Sequence, residues 1–252
     1  MLRLLVTALL LLATAVAAEG PERRMLEAGE AAAFRGVGRL NIAGSRFCTA
    51  TLIAPDVIAT AAHCLFHPLT GARVADGELR FVAGYRVRER AALRRVAATV
   101  VDLGYAFGAR ATYAGVGADL ALGRLDRPVP EAVAPFATAA LADAPPLSIV
   151  SYGEDRPHAP SIETPCGIVQ RDDRVLALDC AVTYGASGSP LFQGEAGDRR
   201  LVGVVSAMGG LIRPPVDVTF VCVLGDGLAP LLAALAAVPG ESPSEIRPLP
   251  RP

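Results

Sequence analysis

An all-β fold is predicted, on three observations. Short apolar or β-branched segments recur along the chain, Gly, Pro and Asp punctuate them, and a single stretch carries a helical period. The strand candidates are 37–42, 50–53, 57–61, 79–83, 96–103, 120–125, 148–152, 166–170, 175–179, 190–192, 201–206 and 219–224. Many short strands at this spacing fit a barrel or a sandwich. The Pro- and Ala-rich stretch 127–146 reads as a linker between two halves. The helix candidate is 228–238, where Leu228, Leu231, Leu232 and Leu235 share one face. The tail from Glu241, rich in Pro and Ser, is expected to be disordered. In Arg86-Val87-Arg88-Glu89-Arg90 the alternating arginines suit one solvated strand face rather than a ligand site.

The first residues read as a secretory signal: Arg3 supplies the charge, Leu4 to Leu12 the apolar core, and Ala15-Val16-Ala17-Ala18 a small-residue cleavage site. A spanning helix needs about 20 apolar residues, and this stretch meets Glu19 first. Cutting after Ala17 or Ala18 leaves a chain that can hold one large domain or two of about 100 residues. The formal net charge of -1 gives no sign of a polyanionic partner. Five cysteines in an exported chain imply two disulfides and one remaining thiol.

Three runs carry the chemistry: Thr60-Ala61-Ala62-His63-Cys64, Asp119-Leu120-Ala121-Leu122 and Gly185-Ala186-Ser187-Gly188-Ser189-Pro190. A serine hydroxyl is a poor nucleophile until a histidine takes its proton, and the imidazole needs a carboxylate to fix its tautomer. The chain has 3 histidines, and His67 and His158 each adjoin a proline in a loop. Asp119 opens an apolar strand; Asp102, which follows one, is the next choice, and Asp56 lies near His63 in sequence. Ser187 sits between Gly185 and Gly188, where backbone must approach a substrate closely. Ser189 is the competing hydroxyl, with a structural role expected.

These flanks resemble the trypsin-like (chymotrypsin-fold) serine peptidases. Residues 47–54 and the His63 run are similar to that family's histidine region, 119–125 to its aspartate region, and 201–206 to its substrate-binding strand, in the family's order. The Ser187-Gly188-Ser189-Pro190 ending is similar to the secreted bacterial branch that includes glutamyl endopeptidases. The resemblance implies two antiparallel Greek-key β-barrels with a C-terminal helix and a site in the cleft between the barrels. The expected division is a signal peptide at 1–18 and, at 19–33, an N-terminal segment or removable propeptide. A first barrel at 34–134 carries His63 and Asp119, a second at 135–227 carries Ser187, and helix and tail occupy 228–252.

The same resemblance implies a secreted or periplasmic serine endopeptidase. His63 is its general base and acid, Asp119 orients the ring, Ser187 is the nucleophile, and the N–H groups of Gly185 and Ser187 form the oxyanion hole. Ala181, Ser206, Ala207 and Met208 would line the substrate, with 206–208 pairing to its backbone as an added strand. It selects a Cys48–Cys64 disulfide. Cys166 and Cys180 pair by elimination and closeness in sequence, each bridge contributing about 2–4 kcal/mol, and Cys222 is left as a buried thiol. No metal or cofactor is expected. The partners are polypeptide substrates, not nucleic acid, nor membrane once the signal is removed, and the chain is expected to be a monomer.

Two departures shape the expectation. Many animal members carry an aspartate just before the nucleophile, paired with a new N-terminus; here that position is Ala186, and no Ile-Val-Gly-Gly occurs between Glu19 and Cys48. The oxyanion hole is therefore expected to be held without an N-terminal ion pair. Ala181 stands where trypsin has an aspartate, Val205 where glutamyl endopeptidases have a histidine, and Met208 where open pockets have glycine. A buried cation without a counter-charge is costly, so small or medium apolar side chains are expected on the acyl side of the cut. An α/β-hydrolase is excluded because no histidine follows Ser187, and a metallopeptidase is a poor fit without His-Glu-x-x-His. The rival is a catalytically silent peptidase-fold binding protein.

Overall fold

The computed structural model describes residues 22–108, 112–143, 146–212 and 215–239. The signal segment and the Pro-rich tail lie outside them. The chain enters through β1 (Glu22–Met25) and the one-turn α1 (Ala28–Ala31). Six strands follow: β2 (Val37–Ile42), β3 (Arg46–Ala54), β4 (Val57–Thr60), β5 (Leu79–Ala83), β6 (Ala92–Val101) and β7 (Ala121–Leu125), with α2 (Tyr113–Gly117) before the last. They close into an antiparallel barrel in the order β2-β3-β4-β7-β6-β5. Its interior is filled by Leu40, Leu52, Ile58, Leu79, Phe81 and Val96, all buried. The β2–β3 hairpin turns on Ala43 and Gly44, both at positive φ, the geometry whose twist matches paired strands.

The second half contributes β8 (Leu147–Gly153), β9 (Arg156–Cys166), β10 (Ile168–Arg171), β11 (Val175–Leu178), β12 (Pro190–Gln193), β13 (Arg200–Ile212) and β14 (Pro215–Val223). These form an eight-stranded sheet in the order β1-β9-β8-β12-β13-β14-β11-β10, so the N-terminal strand belongs to the second lobe. The chain ends with α3 (Leu228–Ala237), which buries Leu231 and Leu235 while Leu232 stays exposed. Arg124 of β7 donates to the carbonyls of Leu235 (3.1 Å) and Val238 (2.8 Å), satisfying acceptors that a helix leaves open at its C-terminal end. No helix among the described residues is long and apolar enough to cross a membrane.

The all-β expectation holds, with three local differences. Strand β9 has no apolar alternation and contains Pro157, Pro160 and Pro165, residues that disfavour a strand. Its prolines fall where the ladder with β8 is interrupted: two lie between the pairs Ser151↔Ser161 and Gly153↔Arg156, and the third between Ile149↔Glu163 and Leu147↔Cys166. There a missing N–H breaks no ladder bond. Strand β1 was too short and polar to read. The Arg86–Arg90 run is not a strand face. It is a hairpin turn, with Val87 and Arg88 at positive φ and Arg86 and Glu89 exchanging backbone hydrogen bonds of 2.9 Å; the turn between β5 and β6 takes up the residues that alternation assigned to a strand.

Both expected disulfides are present, Cys48–Cys64 and Cys166–Cys180. Cys222 is free and buried, and its burial pushes the thiol up to about 12, which makes it unreactive at neutral pH.

Candidate active site

His63 sits in a short 3₁₀ turn, Ala62–Leu65, directly after β4. Its neighbours Ala61, Ala62 and Cys64 are fully buried, and the Cys48–Cys64 bridge ties the turn to β3. Bulkier side chains would have no space here, which is the packing reason for the Ala-Ala preceding the histidine. Asp119 leaves the C-terminal end of α2 and is 3% exposed. Its Oδ1 accepts the His63 backbone N–H at 2.8 Å. Its Oδ2 accepts from His63 Nδ1 at 2.7 Å and from the Ser206 hydroxyl at 2.6 Å. With Nδ1–H donated to the carboxylate, Nε2 is left as the acceptor.

Ser206 was expected to line the substrate; the structure adds a contact the sequence did not disclose. The β13–β14 register shifts between Val205 and Ala207. A bulge at that point re-aims a side chain, and the Ser206 hydroxyl reaches back across the lobes to Asp119. Asp102, the second choice for the carboxylate, is engaged elsewhere: it pairs with Arg174 at 2.8 Å and accepts the Gly104 N–H at 2.9 Å. His67 is exposed and accepts from the N–H groups of Leu69 and Thr70, while His158 lies against the Tyr85 hydroxyl.

The Ser187 loop is clamped between the lobes. Thr49 N–H donates to the Ser187 carbonyl at 2.8 Å, and Gly188 N–H donates to the Val205 carbonyl at 2.7 Å. A Cβ on Gly188 would collide with Thr60 Oγ1, the Thr49 carbonyl and Ala61 N. Glycine is required there by contact as well as by its φ of 77°. These neighbours place Ser187 beside the segment leading into His63 on one flank and beside Ser206 on the other. Among the described residues the Ser187 hydroxyl makes no hydrogen bond. Ser189 is fully buried, and its hydroxyl has no hydrogen-bond partner among the described residues.

Thr183 to Ala186 form a β-turn closed by Ala186 N–H to the Thr183 carbonyl (3.1 Å), with Gly185 at φ 90°. A type II turn needs positive φ at this third position. The neighbouring Cys64 and Cys48 sulfurs lie close to His63, 3.9 Å from Nε2 in the case of Cys64. Being joined as a disulfide, they offer no thiolate to a metal.

The sequence model of the trypsin-like peptidase domain matches residues 48–204. This chain belongs to the trypsin-like serine peptidases. Its fold is similar to that of a Glu endopeptidase solved in complex with MPD, at TM-score 0.70 and 17% identity, covering 86% of this chain and 97% of the other. The protease Anisep from Arthrobacter nicotinovorans aligns at TM-score 0.65 and 16% identity, over 86% and 100% of the two chains. The thermostable serine protease AL20 from an extremophilic microorganism aligns at 0.62 and 18%, over 82% and 99%. No curated protein matches.

The peptidase has a buried carboxyl beside Ala181 that its sequence hid. Ala181 is exposed, and its N–H donates to Oε1 of Glu163 at 2.6 Å. Glu163 is 1% exposed, and Oε2 has no hydrogen-bond partner among the described residues. Burial raises its carboxyl to about 7, against weaker opposing effects from the Ala181 N–H and the Arg23 charge. Since β9 was not read as a strand, nothing placed Glu163 behind Ala181. Met208 is 42% exposed, and Ala207 and Met208 pair with β14 on one side only, because β12 stops pairing with β13 at Val204. That leaves an open strand edge.

A raised carboxyl makes stability pH-dependent. From its usual 4.5 up to about 7, native Glu163 retains a proton that the unfolded chain has released. Its contribution is complete below that window and is lost as pH rises through it. Glu163→Gln keeps the Ala181 acceptor without the titration. The thermal midpoint of wild type relative to Glu163→Gln is expected to fall as pH rises from about 5 to about 8; a pH-independent difference would contradict this.

Proposed function

We propose that this serine endopeptidase cleaves peptide bonds through an acyl-enzyme on Ser187. The observation carrying the reading is the Asp119 carboxylate, which receives both His63 donors from one lobe and the Ser206 hydroxyl from the other. That arrangement holds His63 with Nε2 free to take a proton. Ser187 Oγ attacks the scissile carbonyl carbon as Nε2 removes its proton, and the carbonyl oxygen becomes an oxyanion received by the N–H groups of Gly185 and Ser187. Collapse breaks the C–N bond, with the proton passing from Nε2 to the leaving amine. A water, deprotonated by the same nitrogen, then releases the acid and restores Ser187. Asp119 stabilises the transient imidazolium without becoming protonated.

Substrate backbone adds to the open edge of β13 at Ser206, Ala207 and Met208. Small or medium apolar side chains are preferred on the acyl side: Ala181 brings no charge, Met208 narrows the mouth, and the Glu163 carboxyl is sealed behind Ala181 in an environment that disfavours its ionised form. The chain works as a secreted or periplasmic monomer.

An organophosphonate probe tests the chemistry. Wild type is expected to be labelled and Ser187→Ala not; labelling of neither would make this a binding protein on a peptidase fold. For specificity, a peptide library is expected to be cut mainly after Ala, Val or similarly sized residues. Predominant cleavage after Glu, Arg or Lys would overturn the pocket assignment.

A further inference from the structure

The oxyanion-hole loop is held from outside the catalytic groups. The Glu154 N–H donates to the Tyr184 carbonyl at 2.8 Å. A trans peptide points its C=O and N–H in opposite directions. Anchoring the Tyr184 oxygen on Glu154 therefore turns the Gly185 N–H to the other side of the same peptide, away from the β8–β9 hairpin. If that peptide rotated, the Tyr184 carbonyl would point where the reaction needs the Gly185 N–H as a donor. Glu154 lies in the two-residue hairpin between β8 and β9.

The contact that braces it comes from the N-terminal strand. Arg23 of β1 makes a bidentate pair with Asp155, Nη1 to Oδ2 at 2.6 Å and Nη2 to Oδ1 at 3.0 Å. Arg23 is 14% exposed in its side chain, against 46% for Asp155, so the guanidinium is largely enclosed. A Cβ on Gly153 would collide with Arg23 Nη2, Asp155 Oδ1 and Thr183 Cγ2 alike. The ion pair thus lies directly against the turn that carries Gly185. Arg156 Nη1 donates to the Arg23 carbonyl at 3.2 Å, and Arg23 stands opposite Glu163, whose Oε1 holds the Ala181 N–H. The segment from Ala181 to Tyr184 is tied at both ends to the β8–β9 pair, and β1 fastens that pair.

We propose that Arg23 is a positioning residue for the oxyanion hole, acting through Asp155 and the Glu154–Tyr184 hydrogen bond to orient the Gly185 N–H. The proposal rests on the acyl-enzyme reading above. It supplies a side-chain ion pair on the N-terminal strand in a molecule where Ala186 has no carboxylate to offer a free N-terminus. It also makes β1 part of the working enzyme, so trimming the chain beyond Arg23 removes activity.

The test compares Arg23→Met, Arg23→Lys, Asp155→Asn and the Arg23→Met/Asp155→Asn double variant with the full-length enzyme. The readouts are kcat and KM on a peptide, the rate of Ser187 phosphonylation, and the thermal midpoint. Losing an oxyanion donor outright costs about 10²–10³ in rate, so Arg23→Met is expected to lower kcat and phosphonylation together by about tenfold or more, with KM within about twofold. Arg23→Lys should recover part of the loss, and the double variant should fall no further than either single one. Unchanged kcat in folded Arg23→Met, or losses confined to KM, would overturn the proposal. If Arg23→Met does not fold, Asp155→Asn on the exposed turn carries the same comparison. Absence of labelling in wild type would instead reject the acyl-enzyme reading itself.

Discussion

The Asp119 carboxylate is the contact on which this molecule is organised. A carboxylate at 3% exposure is costly to bury unless its oxygens are satisfied, with an effective penalty of several kcal/mol per unpaired ion. Three donors converge on it, and hydrogen bonds to a charged group are worth about 1.5–3 kcal/mol each. Two come from His63 and fix both the backbone and the ring of that residue. The third comes from Ser206, so the same interaction that orients the imidazole also registers one lobe against the other. Removing any donor leaves a partly unsatisfied charge in the interior, which is why geometry here is held more tightly than burial alone would achieve.

A second constraint is steric. Gly188 passes so close to Thr49, Thr60 and Ala61 that no side chain fits, and its N–H is taken by Val205, next to Ser206. The Ser187 loop is therefore positioned by the segments that carry His63 and Ser206. Disulfide Cys48–Cys64 ties the His63 turn to β3. The Thr183–Ala186 turn is held by Thr49 Oγ1 on the Gly185 carbonyl and by the β8–β9 hairpin on the Tyr184 carbonyl, and β1 braces that hairpin.

Legibility in the sequence followed the physical origin of each feature. Apolar alternation and turn residues disclosed most strands and α3, because half-buried strands and an amphipathic helix impose a period on the chain. His63 and Ser187 stood out by the small neighbours that tight packing and close backbone approach dictate, Asp119 by the apolar strand it opens, and all three by flanks that resemble one family. The Ser206–Asp119 hydrogen bond was not legible, since a β-bulge that redirects one hydroxyl leaves no pattern of its own. Strand β9 was hidden by prolines placed at breaks in its ladder, and Glu163 was hidden with it. Arg23 gave no signal, because an ion pair between residues so distant in sequence is set by which strands become neighbours.

Replacing Asp119 by asparagine tests the organising interaction most directly. An amide has one acceptor oxygen where the carboxylate has two, so it cannot accept from His63 N, His63 Nδ1 and Ser206 Oγ together, and an NH₂ facing Nδ1 imposes the wrong tautomer. With the fold intact by thermal melting, kcat of Asp119→Asn is expected to drop by about 10⁴. Turnover within about tenfold of wild type in a folded Asp119→Asn protein would contradict the account, since a tenfold loss is only about 1.4 kcal/mol of barrier.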